Sequence, residues 1–131
     1  MAWKTPDGLK YTKSDEWFRI EGDVVTLGIT DYAQDQLSDI VYVEFPDVGD
    51  NLDAGDTFCS LESVKAAADV YTAIGGEVVE VNEGLEDEPE KVNEDPYGDG
   101  WLVKLKVSDT SALDDLMDAK AYTDYCESRD H

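Results

Sequence analysis

Short β-branched runs, cut apart by glycine–aspartate turns, constrain this chain more than any other feature. Glu21-Gly22-Asp23 precedes Val24-Val25-Thr26-Leu27-Gly28-Ile29, and Val48-Gly49-Asp50 and Ala54-Gly55-Asp56 flank a short extended piece. Runs of this length and residue type, bounded by turn formers, pair as strands. Further strands are expected from Tyr11 to Ile20, from Ile40 to a stop at Pro46, and over Thr57–Glu62 and Ala68–Ile74. Glu77–Val81 and Trp101–Val107 alternate with period two. Thr30 or Asp31 can cap a short helix through Leu37, since their oxygens accept from free backbone N–H groups. Asp109, Thr110 or Ser111 can cap a second helical segment over about 111–127, with Leu113, Leu116 and Met117 on one face. Tyr122, Tyr125 and Cys126 then pack on the sheet. Glu83–Gly100, acidic and holding Pro89 and Pro96, reads as a solvated connection with one helical turn near Glu86–Lys91. A faint repeat, Asp39–Ser63 against Gly76–Val107, gives two β units, each with one apolar face to bury. The reading is one mainly-β domain over 1–131, a sandwich or flattened barrel.

Charge narrows the function. Ten basic residues against 32 acidic ones leave a net charge of -22. Such a field repels phosphate backbones and anionic lipids, so neither nucleic acid nor membrane is an expected partner. The sole histidine is His131, which argues against a histidine base and a histidine-rich metal site. Cys59 and Cys126 form no CxxC pair; Cys59 reads as a core residue and Cys126 as an inert thiol, in a reducing compartment. No signal-peptide core and no membrane-length apolar run are visible. With Met1 retained, the expectation is a prokaryotic cytoplasm; the alternative is a mitochondrial matrix protein trimmed of its leader.

One residue breaks the charge pattern. From Ile20 to Glu90 there are 19 acidic side chains and a single basic one, Lys65. It stands in Leu61-Glu62-Ser63-Val64-Lys65-Ala66-Ala67-Ala68-Asp69, between two strand-like runs, so Val64-Lys65 falls at a hairpin tip. Charge pattern alone favours a surface lysine paired with Glu62 or Asp69. A second reading is an attachment lysine, accessible to an acylating enzyme and able to root a mobile arm. A Schiff-base lysine ranks last, because surrounding carboxylates oppose the lowered pKa it needs.

Four segments resemble the H-protein family of the glycine cleavage system. Leu61–Ala66 is similar to its lipoyl-lysine motif, and Gly28-Ile29-Thr30-Asp31-Tyr32-Ala33-Gln34-Asp35 to a second signature. Gly76–Asn82 and Val92-Asn93-Glu94-Asp95-Pro96-Tyr97-Gly98-Asp99-Gly100-Trp101 are two more. The resemblance runs from about Gly8 to Cys126 and overturns the surface-lysine reading. It implies a lipoyl/biotinyl-carrier-type β sandwich with short helices and a helical C-terminus. It also implies lipoate in amide linkage on Lys65, with Glu62, Gly49 and Gly76 serving ligase recognition and turn geometry.

The implied protein catalyses nothing itself. A pyridoxal-phosphate glycine decarboxylase (P protein) loads the arm with an aminomethyl group. A tetrahydrofolate-dependent aminomethyltransferase (T protein) unloads it, and dihydrolipoamide dehydrogenase (L protein) reoxidises it. A lipoate ligase or lipoyl/octanoyl transferase attaches the arm, and the carrier is expected to be a monomer. The family shelters the loaded arm in a cleft; the matching positions are Ser14, Glu16 and Asp69, with Gln36 where some members place a histidine. Asp15 also stands where a histidine is usual. Nearby alternatives are an H-like protein serving chiefly as a lipoyl relay, and a non-lipoylated module of the same fold. A biotin carrier would flank its lysine with methionines, and a 2-oxoacid dehydrogenase lipoyl domain would be shorter.

Overall fold

The computed structural model describes residues 3–129; Met1 and His131 lie outside the described residues. The strands are β1 (Lys10–Tyr11), β2 (Glu16–Glu21), β3 (Val24–Ile29), β4 (Ile40–Glu44), β5 (Asn51–Leu52), β6 (Thr57–Ser63), β7 (Ala67–Tyr71), β8 (Gly76–Val81) and β9 (Val103–Lys106). The helices are α1 (Asp31–Leu37), α2 (Gly84–Asp87), α3 (Lys91–Glu94) and α4 (Ala119–Arg129), with a 3-10 turn at Ser111–Leu113.

A six-stranded antiparallel sheet, in the order β1-β2-β3-β9-β8-β5, faces a three-stranded one, β4-β6-β7. This is the expected mainly-β architecture, as an open sandwich of two sheets rather than a closed barrel. The repeat does not divide cleanly between the sheets: β4 and β6 of the first unit pair in the smaller sheet, while its β5 joins β8 and β9 of the second unit in the larger one. Phe18, Leu27, Val43, Leu61, Val78 and Leu105 fill the space between. Burying side chains of this size contributes about 1.5–3 kcal/mol each.

Trp17 and Phe18 are consecutive in β2 and both fully buried. A strand turns neighbouring side chains to opposite faces, so β2 must be covered on both. Phe18 enters the inter-sheet core, whereas Trp17 joins a second cluster with Tyr11, Tyr32, Tyr97 and Tyr122. Tyr122 of α4 stacks on Tyr11 at 4.7 Å between ring centroids. Burial raises the phenol pKa of all three of Tyr11, Tyr97 and Tyr122.

Several local expectations need correction. The helical segment over 111–127 is divided. Met117 forms a β-bridge with Tyr11, donating to Tyr11 O at 3.0 Å and accepting from Tyr11 N–H at 2.8 Å. That extended stretch interrupts the helix, which restarts behind Asp118, whose carboxylate accepts from Ala121 N–H. Asp109 instead holds Ser111. The segment from Glu83 to Gly100 is no simple solvated loop: α2 and α3 bury Leu85 and Val92, and Tyr97 is buried behind them. β7 ends at Tyr71, three residues early. Thr72 then turns the chain through bonds with Ile74. A bulge between Val78 and Glu80 breaks the expected alternation in β8 and leaves Val79 exposed.

Candidate functional site

The β6–β7 hairpin places Lys65 at its apex. Ser63 organises the turn: its hydroxyl accepts from Lys65 N–H at 3.1 Å and Ala66 N–H at 3.0 Å, and donates to Ala66 O. Val64 N–H donates to Asp39 O at 3.0 Å, tying the tip to the start of β4. The backbone of the tip is therefore satisfied and braced, while Val64, Lys65 and Ala66 stay exposed. Among the described residues Lys65 forms no ion pair. The expected partner Asp69 accepts instead from Ser60 Oγ at 2.9 Å. Small neighbours, Ala66 to Ala68, leave the ammonium stem uncrowded. An exposed, unpaired amine on a rigid turn fits amide linkage to an acyl group.

Glu62 is exposed on β6, opposite Ala67 and Tyr42 in the strand register. Of the two glycines, Gly76 opens β8 in the larger sheet and Gly49 lies in the turn that leads into β5. Gly49 adopts φ +100° and donates to Val78 O at 2.8 Å. Gly76 pairs with Leu52, and a Cβ there would lie 2.7 Å from Lys106 O, so β9 excludes any side chain. Their shared effect is to close the β5–β8 end of the sandwich.

A cleft of about 180 Å³ opens between the β1–β2 turn, α1 and the β6–β7 hairpin. Ser14, Glu16, Gln36 and Asp69 all line it, together with Asp15 and an apolar floor that includes Ile29, Leu61 and Val70. These positions, scattered over the sequence, thus meet in one place. They are not equivalent. Gln36 is exposed at the edge of α1, and Asp69 is at the rim with its carboxylate on Ser60. Glu16 is only 2% exposed. From the tip, Ala67 and Ala68 lead to Asp69, so the chain along β7 spans on the order of 10 Å between Lys65 and the cleft.

Glu16 carries the chemistry of the cleft. Its Oε1 accepts from Thr12 Oγ1 at 2.5 Å and Ser14 Oγ at 2.6 Å, and its Oε2 accepts from Tyr71 N–H at 3.3 Å. Burial pushes its pKa above the usual glutamate value, against the opposing pull of these donors and with a small push from Asp15. Among the described residues no cation bonds to it, so a cationic group entering the cleft meets a desolvated carboxylate already oriented by three donors.

Sequence reasoning missed several supports. Thr12 repeats the two-residue spacing Thr12-x-Ser14-x-Glu16, a signal present but unread. Asn93 of α3 donates to Gln34 Oε1 and Ser38 O and accepts from Ile40 N–H, bracing the end of α1. Asp15, at φ +74°, pairs with Arg129 of α4. No local pattern announces that pair.

The open two-sheet sandwich, with a lysine hairpin beside a carboxylate-bearing cleft, defines a carrier domain of the lipoyl type. The family model described as glycine cleavage H-protein matches residues 9–129. A glycine cleavage system H protein of Bacteroides thetaiotaomicron is 56% identical over 89% of this chain and 93% of its own length. A probable glycine cleavage system H protein of Haloarcula marismortui is 50% identical over 97% of this chain and 100% of its own length. The crystal structure of a glycine cleavage system H protein from Mycobacterium marinum matches with a TM-score of 0.82 at 33% identity, covering 96% of this chain and 99% of that one. The chain belongs to the glycine cleavage H-protein family. Membership implies a lipoyl-carrier role in the glycine cleavage system.

Proposed function

We propose that Lys65 is the lipoyl attachment site and that the chain acts as a non-catalytic shuttle among the P, T and L proteins. The observation that carries this reading is the unpaired, exposed Lys65 on a braced tip, next to a cleft where Ser14, Glu16, Gln36 and Asp69 converge. Lipoate in amide linkage would supply a dithiolane whose S–S bond can be reduced as it accepts the aminomethyl group left when glycine loses CO2, and be reoxidised through a flavin enzyme once that group has passed to tetrahydrofolate. The protein's own part is positional. Ser63 and Val64 fix the root of the arm, so that its mobility is confined to the side chain. Glu16, held by Thr12, Ser14 and Tyr71, pairs with the cationic end of the cargo and keeps bulk water from it. Glu62, exposed beside the tip, meets the lipoylating enzyme. Gly49 and Gly76 set the sandwich geometry that presents the hairpin.

Glycine–bicarbonate exchange with a cognate decarboxylase tests cargo and partner together. Lipoylated protein is expected to support exchange, and Lys65→Ala to abolish it while melting at the wild-type temperature. Exchange retained by Lys65→Ala would overturn the assignment.

A further inference from the structure

We propose that Arg129 is a positioning residue for the cleft, holding Ser14 and Glu16 in place through Asp15. The inference rests on reading the cleft as the shelter for the loaded arm. The Arg129 guanidinium grips Asp15 with both nitrogens, Nη2 to Oδ1 at 2.6 Å and Nη1 to Oδ2 at 3.2 Å. The pair is largely shielded, with side chains 25% and 18% exposed. The same guanidinium lies between two aromatic rings, 4.0 Å from the centroid of Tyr32 on α1 and 4.2 Å from that of Tyr125 on α4. One side chain therefore joins the β1–β2 turn, α1 and α4, and the first two are walls of the cleft. A planar guanidinium can stack and grip at once, which an ammonium cannot.

Tyr122 completes the joint. Its Oη lies 2.8 Å from Asp15 Oδ1 and 2.5 Å from Thr30 Oγ1. A carboxylate can only accept, so Tyr122 donates to Asp15 and the Thr30 hydroxyl donates to Tyr122. That leaves Thr30 Oγ1 free to accept from Ala33 N–H as the cap of α1. Asp15 O accepts from Thr30 N–H at 3.0 Å, a further tie between the turn and the helix start.

The conformation being held is a costly one. Asp15 sits at φ +74°, in the left-handed region that residues with a Cβ seldom adopt. Such a residue persists where its surroundings over-determine it. Its two neighbours in sequence are Ser14 and Glu16. Releasing Asp15 moves both, and with them the bond from Glu16 to Tyr71 N–H on the opposite sheet.

Amide hydrogen exchange in the unlipoylated full-length chain separates this role from simple fastening of α4. In Arg129→Gln, exchange at Tyr71 N–H and Thr30 N–H is expected to quicken by about tenfold, the scale of losing a charge-assisted hydrogen bond. Arg129→Lys, which keeps the charge and loses the fork and the stack, covers the case in which the glutamine variant does not fold. It should quicken the same two amides. Faster exchange confined to α4, with Tyr71 and Thr30 unchanged in a folded variant, would overturn the proposal. A second arm follows the lifetime of the loaded, lipoylated carrier. Both Glu16→Gln and Arg129→Lys are expected to shorten it, with lipoylation rates unaltered. Shortening by Glu16→Gln and not by Arg129→Lys would sink the role of Arg129 alone. No shortening by either would sink the shelter reading, and the exchange map would still decide whether Arg129 positions the turn.

Discussion

Glu16 is a carboxylate kept from water, with hydroxyl and amide donors in place of a cation. Its pKa is raised by burial, so folding favours its protonated form. The stability contributed by that proton is fully present below the unfolded-state pKa, about 4.3 for glutamate. It is lost as pH rises through the higher folded-state value. Glutamine cannot titrate. The melting temperature of Glu16→Gln should therefore gain on the wild type as pH rises from about 4, and a pH-independent difference would refute the raised pKa. In the loaded carrier the same substitution removes a charged partner, and the loaded lifetime should fall by about tenfold. Ammonia release without the transferase measures it. Charge singled out Lys65, which stands alone in an acidic stretch, but pointed to a surface lysine; its reading as an attachment site came from the resemblance of Leu61–Ala66 to a lipoyl-lysine motif. The pairing of Asp15 with Arg129 was not legible, since 114 positions separate them and only folding brings them together.

Hairpins and their turns were the most legible elements, because glycine–aspartate punctuation is local chemistry. The Thr30 cap and the β6–β7 tip fell where the sequence put them. Elements set by tertiary contact were hidden. The break in the C-terminal helix exists because Met117 finds Tyr11, and nothing near Met117 encodes that. Likewise the Glu83–Gly100 segment looks solvated by composition, yet Asn93 and Tyr97 anchor it to α1 and the N-terminal segment. The tip itself gives a prediction. Ser63→Ala removes the acceptor shared by Lys65 N–H and Ala66 N–H. Global stability should drop by about 1 kcal/mol, read from urea denaturation. Exchange at the Lys65 and Ala66 amides should quicken while Leu61 on the same strand stays protected. An unmoved tip would mean that the Ser63 hydroxyl does not hold the turn.

For the whole molecule, the repeat pointed to two β units packed as a sandwich; the sandwich formed, but β5 of the first unit crosses to pair with β8 of the second, so the units are not its two faces. The charge behaves as a property of the entire surface. Against 32 acidic residues, four ion pairs occur among the described residues, three of them with substantially exposed partners. Pairs of that kind contribute roughly 0–1 kcal/mol, so the carboxylates largely face one another across solvent. Screening relieves such repulsion: the Debye length is about 30 Å at 0.01 M salt and about 3 Å at 1 M. The melting temperature should be higher in 1 M than in 10 mM NaCl, and a flat or falling midpoint across a salt series would contradict this. Capture by the decarboxylase should slow over the same series, because a chain this acidic is steered toward a basic face. Stopped-flow association rates that ignore salt would remove the steering role.

The most direct test of the carrier assignment is peptide mapping by mass spectrometry of protein expressed with lipoate and a lipoylating enzyme. One lipoyl group is expected per chain, on the peptide containing Lys65, with none on the Lys65→Ala variant folded to the wild-type melting temperature. A chain that stays unmodified, or a lipoyl group on any other lysine, would contradict the assignment of the β6–β7 tip as the root of the arm.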